Sequence, residues 1–318
     1  MIEIGKDSNY AIKILMRGGI VSIPTETVYG LACNALNEEA VSKVFKIKNR
    51  PKNDPLICHT DSIKKIKKFV INFPKDAEII AEKFWPGPIT ILLEKNNLIP
   101  DITTSNSDYV AFRIPDNKIT LNILKELDFP LAAPSANKFE YISPTNPNHV
   151  NLNFKKGEVD YILDDGNCSI GIESTIVSFE NNELIIHRLG GITYEEIIKT
   201  IGRCSIIENK KNIPGQFKKH YSPNKKVYVG KINQLYEEFK NEKIGILCFD
   251  KKYDFIDEKR QIILTENSSL EEASKNFYSS LYILDNLNDI DLILTSYLPN
   301  SKIGRSINDR IRKCSENE

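Results

Sequence analysis

Pro51 and Pro55 both fall inside KIKNRPKNDPLICH, Lys46–His59, and no continuous helix can run through the pair. Each proline fixes its own φ, lacks an N–H donor and biases the residue before it towards extended backbone. Lys46, Lys48, Arg50 and Lys52 alternate at every second position before an apolar segment begins, so the stretch reads as an extended loop offering cations on one side. Arg supplies a planar fork of donors and Lys a mobile point charge, which suits an anion with several charged oxygens. A solvated basic loop between helix and strand has the same composition. The rest of the chain has to choose between the two.

At 318 residues the length favours two domains. An apolar content of 41% with 27% charged residues is that of an ordinary globular protein and argues against disorder. Lys plus Arg equals Asp plus Glu at 43 each, so no global field exists to hold a polyanion or an acidic membrane, and any nucleic-acid contact must be local. The six cysteines lie far apart with no CxxC pair, which suggests neither a zinc site nor a disulfide framework. MIEIGKDSNY lacks a basic-then-apolar leader and no apolar run is long enough to span a bilayer, so a soluble, cytoplasmic protein without membrane contact is expected.

Along the chain, helical and strand patterns alternate. Asp7 or Ser8 caps a short helix that ends at Gly18 and Gly19, and Ile20–Pro24 follows as a buried strand whose end carries Thr25, Glu26 and Thr27. Asn37 caps a second helix, and the opening loop leads to the strand Pro55–His59. Lys64, Lys65, Lys67 and Lys68 read as the solvated side of an amphipathic helix rather than a nucleic-acid patch. Leu131–Pro134 is an apolar strand ending in Ser135 and Asn137, a place where α/β proteins put ligand groups. Glu173, Ser174 and Thr175 close an acidic turn, and Arg188 leaves a strand before a glycine pair. Periodicity weakens from Arg203 to Lys226 and resumes as βαβ units. The expected division is a catalytic domain over 5–202, a linker over 203–226 and a smaller α/β domain over 227–318.

Five motifs, in order, carry a resemblance over nearly the whole chain: PTETVYGL at Pro24–Leu31, the K-x-R of Lys48 and Arg50, the S-x-N of Ser135 and Asn137, GIESTIV at Gly171–Val177, and HYSP at His220–Pro223. Together they resemble the YrdC-like threonylcarbamoyl-AMP synthases in their long, two-domain form. The resemblance implies a twisted, mostly parallel open α/β sheet with a basic concave cavity, joined to a smaller C-terminal Rossmann-like α/β domain. It also implies that L-threonine, bicarbonate and ATP become threonylcarbamoyl-adenylate and pyrophosphate, for a transferase complex that modifies tRNA. Direct contact with tRNA stays open.

By the same resemblance Lys48 and Arg50 are the catalytic cations, and Arg188 faces the triphosphate with them. Asp54, Tyr109, Ser135, Asn137, Ser143, Tyr221 and Asn224 approach the nucleotide, the last two from a linker folded over the cavity. Arg113 takes the carboxylate of threonine, and Thr27, His59, Ala133 and Ser174 or Thr175 line its pocket. No His, Asp or Glu cluster has metal-ligand spacing, so magnesium is expected to be held mainly by the nucleotide. Asp54 stands where the family more often has Asn, an extra negative charge near the phosphates. Two other readings compete: an RNA-binding module using the same basic cavity without forming an adenylate, and a carbamoyl-transfer enzyme on the same fold, whose further segments cannot be fitted to this chain.

Overall fold

The computed structural model describes residues 1–180, 183–207 and 220–317. Half of the expected linker, residues 208–219, therefore lies outside the described residues. The chain divides into two units, one containing Met1–Phe139, Pro144–Ser169 and the described part of Glu173–Gln216, the other Glu140–Ser143, Ile170–Ile172 and the described part of Phe217–Glu318.

Local chemistry sets the ends of the first helices. Asp7 accepts the Tyr10 N–H and caps Ser8–Met16, and Gly18, at φ 76°, takes the left-handed turn that ends it. Asn37 accepts the Ala40 N–H and caps Glu38–Lys48, with Glu38 and Glu39 in the first turn and Lys46 and Lys48 in the last, as the helix dipole prefers. The helix therefore runs into the stretch expected to be an extended loop. It stops at Asn49, whose φ of 56° is left-handed and whose N–H turns back to the carbonyls of Lys46 and Phe45. Pro51 acts only after this cap. On a helix, residues two apart are separated by about 200° around the axis. Lys46 accordingly faces solvent while Lys48 turns inwards.

In the first unit, eleven strands among the described residues form one sheet. From one edge to the other they are Ile4–Gly5, Tyr161–Leu163, Val21–Ile23, Gly30–Asn34, Leu131–Ala132, Ile57–His59, Tyr109–Arg113, Ile89–Glu94, Thr175–Glu180, Glu183–Arg188 and Cys204–Ile206. The α/β class is as expected, but the mostly parallel sheet is in fact mixed. Ile57–His59 pairs parallel with Tyr109–Arg113, whereas Ile89–Glu94 pairs antiparallel with that same strand. Val21–Ile23 and Gly30–Asn34 are also antiparallel, because the short turn between them cannot make the crossover that parallel neighbours need.

The second unit is wholly parallel. Lys226–Val229, Leu292–Thr295, Ile244–Cys248 and Gln261–Ile263 lie side by side in that order. Its helices are Ile232–Glu238, Leu270–Asn286 and Ile303–Cys314. A core of Ile232, Leu235, Ile244, Ile246, Leu292 and Leu294 sits among these elements.

Of the lysine cluster only Lys64 is exposed on a helix as expected, because the helix is a single turn, Ile63–Ile66, and Lys67 and Lys68 lie in the turn after it. Lys64, Lys67 and Lys68 are exposed, but Lys65 is not idle. Its ammonium pairs with Asp61 at 2.7 Å and donates to the carbonyls of Leu124 and Leu127 at 2.6 and 2.8 Å, capping the C-terminus of the helix Lys118–Glu126. Lys65→Ala is expected to lower stability by about 1 kcal/mol, and Lys64→Ala by less than about 0.5 kcal/mol. Urea denaturation checks this, and equal midpoints for the two variants would show that the cap contributes nothing.

Candidate active site

Strand register decides which side chains meet. Ile57 lies opposite Ala111 and His59 opposite Arg113; Leu92 lies opposite Ala111, while Thr90 and Arg188 both lie opposite Ile176. Because side chains alternate across a strand, these residues share one face of the sheet. Ile57, Leu92, Ala111 and Ile176 form a small apolar floor on it. Their neighbours Cys58, Ile91, Phe112 and Val177 point the other way, into the main core. Ala133 donates its N–H to the Ile57 carbonyl at 3.0 Å, and the Ser174 hydroxyl meets that of Thr90 at 2.7 Å. Five expected site residues, His59, Arg113, Ala133, Ser174 and Arg188, thus come together around one floor.

Thr175 does not join them. It lies opposite Ile89, on the core side, where its hydroxyl donates to the Ile192 carbonyl at 2.5 Å and accepts the Ile192 N–H at 3.1 Å. Of the two expected hydroxyls, Ser174 is the one on the floor side. The turn that presents it passes so close to Gly190 that an added Cβ would lie 2.4 Å from the Glu173 carbonyl oxygen. Tyr109 shares the face of Arg113 but is half exposed and starts the strand that Arg113 ends, about 13 Å away at strand rise.

The cations are tied down. Lys48 is 1% exposed and donates to the carbonyls of Ser135 and Asn137, both at 2.6 Å. Burial, and after it the charge of Arg50, hold its amine well below the ordinary lysine range. Asn137 also donates from its side-chain amide to the Lys138 carbonyl at 2.8 Å. Arg50 donates Nε to the Asp54 carbonyl and Nη2 to the Pro55 carbonyl, each at 3.0 Å, and pairs with the Asp54 carboxylate at 2.8 Å. The extra negative charge of Asp54 therefore meets a buried guanidinium four residues earlier. Arg188 grips the Ser174 carbonyl with Nε at 3.1 Å and Nη2 at 2.9 Å, and reaches the Ser174 hydroxyl at 3.2 Å.

In the turn after the strand Val21–Ile23, the Thr25 hydroxyl donates to the Val28 carbonyl at 2.6 Å and meets that of Thr27 at 2.8 Å, closing the turn that holds Thr27 fully buried. Arg113 donates Nε to the Gly87 carbonyl at 3.3 Å, and its Nη2 pairs with Glu26 at 2.7 Å. Glu26 was missing from the expected set, although the T-E-T cluster at a strand end was its visible signal. His59 is pushed down to about 3 by burial, with the positive charge of Arg113 adding to it, so the ring is neutral at physiological pH.

Ser143, Tyr221 and Asn224 belong to the second unit. Ser143 is fully buried. Tyr221 is buried too, with the Arg310 guanidinium 5.4 Å from its ring centroid and Tyr278 at 6.0 Å. Asn224 donates its amide to Asp285 at 2.9 Å. Among the described residues no three His, Cys, Asp or Glu side chains could hold a metal ion.

A floor of four apolar side chains rimmed by buried cations and hydroxyls is the kind of site that α/β enzymes place at the ends of their strands. Residues 13–190 match the Sua5, YciO and YrdC family model, described as telomere recombination, and residues 192–315 match a model described as threonylcarbamoyl-AMP synthase, C-terminal domain. The chain belongs to this family, in the form that carries the C-terminal domain. The threonylcarbamoyl-AMP synthase of Pyrococcus abyssi is 35% identical, over 96% of this chain and 93% of its own, and that of Bacillus subtilis 31% identical, over 96% and 92%. A crystal structure of P. abyssi Sua5 complexed with L-threonine superposes with a TM-score of 0.92 at 32% identity, covering 99% of this chain and 97% of that one.

Asp54→Ala is expected to cost about 3–5 kcal/mol, because it takes the contacting carboxylate away from the buried Arg50 guanidinium. The Arg50→Met/Asp54→Leu double variant should lose less than the sum of the singles; additive losses in urea denaturation would show that the two do not act as a unit. For His59 the unfolded chain binds the proton that the folded one refuses. Its contribution to stability is complete above about pH 6.5, the ordinary histidine value, and is lost as pH falls towards about 3. His59→Asn should flatten stability against pH across that window, and an unchanged slope in acid denaturation would contradict the assignment.

Proposed function

We propose that the chain makes threonylcarbamoyl-adenylate and pyrophosphate from L-threonine, bicarbonate and ATP. The observation that carries this reading is the single sheet face on which His59, Arg113, Ala133, Ser174 and Arg188 converge, in a chain matched along both segments by synthase relatives. The threonine nitrogen must form a carbamate, and a carbamate oxygen must then attack the α-phosphorus while pyrophosphate leaves. Such an oxygen is a weak nucleophile approaching a crowd of phosphate charge. Positioning and fixed electrostatics have to carry most of the barrier.

Arg113 is suited to the carboxylate of threonine, and the neutral His59 and buried Thr27 to its hydroxyl. The Ser135–Asn137 loop anchored by Lys48, together with Arg50 and Arg188, would face the triphosphate. Donors held by their own loops need no rearrangement as charge develops. Magnesium would arrive with the nucleotide and neutralise phosphate charge, beside a rim of cations and hydroxyls. The adenylate then serves a transferase that modifies tRNA. We assign the enzyme to the cytoplasm on the ground of those partners; no helix of the described residues is long and apolar enough to cross a membrane.

Purified chain given threonine, bicarbonate and ATP should release pyrophosphate in a threonine-dependent manner. Arg188→Ala should slow release by roughly 30- to 1,000-fold, the usual effect of losing one stabilising donor. Release no greater than a threonine-free control, with RNA affinity that falls steeply with salt, would replace this reading with the RNA-binding one.

A further inference from the structure

Glu26 is the least accounted-for charge in the site. It is 5% exposed, and among the described residues its one ion pair is that with Arg113. Neither carboxylate oxygen accepts a well-aligned hydrogen bond from a described residue. A carboxylate offers about four lone-pair sites, and a single guanidinium nitrogen at 2.7 Å leaves most of them unused. Burying such a group costs several kcal/mol unless further donors meet it. The turn that carries it is well ordered by its own bonds, Thr25 to Val28 on one side and the Thr120 hydroxyl on the Pro24 carbonyl at 2.6 Å on the other. Glu26 is thus held in place by its backbone, with unsatisfied acceptors turned towards Arg113.

An α-amino acid is a zwitterion with both charges on substituents of one carbon. A receptor for that part of the molecule needs a cation and an anion within a few ångströms of each other, and Arg113 and Glu26 are such a pair. Other titratable groups around them cannot take the anion's place. His59, on the neighbouring strand, faces Arg113 and stays neutral; the Cys168 thiol is pushed up by burial and then by the charge of Glu26 itself; Asp165 lies further out, where its N–H donates to the Tyr29 hydroxyl at 3.2 Å.

We propose that Glu26 is the amine-side catalytic residue of the threonine site: its carboxylate holds the substrate ammonium and accepts the proton that must leave before the nitrogen can react. This rests on the function proposed above. The ammonium passes one proton to Glu26 and becomes a free amine. The nitrogen lone pair then bonds to the bicarbonate carbon, the nitrogen loses a second hydrogen, and one bicarbonate oxygen departs as water, leaving a carbamate of the same charge as the bicarbonate consumed. Glu26 returns its proton to solvent when product leaves. Arg113 keeps its charge throughout and holds the carboxylate end.

The test uses the full chain and two ligands without ATP or bicarbonate. L-Threonine has the amine, and its 2-hydroxy analogue keeps the carboxylate and side chain but lacks it. Calorimetry of the unaltered chain should give threonine tighter than the analogue by about tenfold or more, the effect of one desolvated charge contact. Equal affinities sink the proposal with no variant needed. Glu26→Gln should weaken threonine by about tenfold or more and leave the analogue within about twofold, whereas Glu26→Asp should restore part of the loss. Equal weakening of both ligands would mean that Glu26 only orients Arg113. At saturating threonine, pyrophosphate release by Glu26→Gln should be slow and should rise with pH as free amine accumulates; an unchanged rate would overturn the proton step. A chain that binds threonine through Glu26 but releases no pyrophosphate would refute the synthase reading and keep this site.

Discussion

The buried ammonium of Lys48 is the interaction on which most of the first unit's site depends. It arrives from the last turn of a helix and joins the carbonyls of Ser135 and Asn137, while the Lys48 carbonyl accepts the Phe139 N–H at 2.7 Å and Lys138 reaches back to the Ile47 carbonyl at 2.7 Å. Helix end and loop are therefore stitched in both directions. An apolar side chain of equal length would leave two carbonyls without these donors, and unpaired buried acceptors cost about 1–3 kcal/mol each. The loop that follows the strand Leu131–Ala132 owes its course to an amine delivered from far along the chain.

The same logic extends to the other cations. Arg50 closes the Pro51–Pro55 turn on itself, and Arg188 fixes the carbonyl and hydroxyl of Ser174. Each cation expected to meet an anion is already oriented by main-chain oxygens. Fixed dipoles and charges in a region of low dielectric act more strongly than mobile ones, and no ordering is needed when ligand arrives. Rigidity here comes from the sheet face below, where the floor residues are locked by register on four adjacent strands.

Much of this was legible in the residues. Asn37, Asp7 and the glycine stop at Gly18 marked helix ends through capping chemistry that acts within one turn, and the parallel second unit followed from its alternating βαβ pattern. What escaped was decided at longer range. The prolines at 51 and 55 suggested extended backbone as far back as Lys46, yet Asn49 can adopt the left-handed cap that lets a helix end two residues before a proline. The mixed pairing of the sheet was hidden because a strand's pattern does not say which neighbour it takes. Thr175 and Ser174 are adjacent and chemically alike, and only register against Ile89 and Thr90 tells which one faces the floor. Glu26 sat in a recognised motif, but its partner Arg113 is remote in sequence, so no local spacing could reveal the pair.

Compensation of charge separates the two halves of the site. Arg50 and Arg113 each have a carboxylate in contact, Asp54 and Glu26 respectively, whereas Lys48 and Arg188 are bonded to neutral oxygens among the described residues. Lys48 gives up its proton more readily than an ordinary lysine, because burial and Arg50 both oppose its charge. A guanidinium cannot discharge in this way. Arg188 is therefore the one of these four cations whose charge is both permanent and uncancelled by a described carboxylate, and the side of the floor beside Ser174 carries the stronger attraction for a highly charged anion. The side beside Glu26 is nearly neutral as a pair and favours a ligand that brings both signs. Where an arginine keeps a carboxylate in contact, the pair sets the charge offered to a ligand; at Arg188 the guanidinium sets it alone.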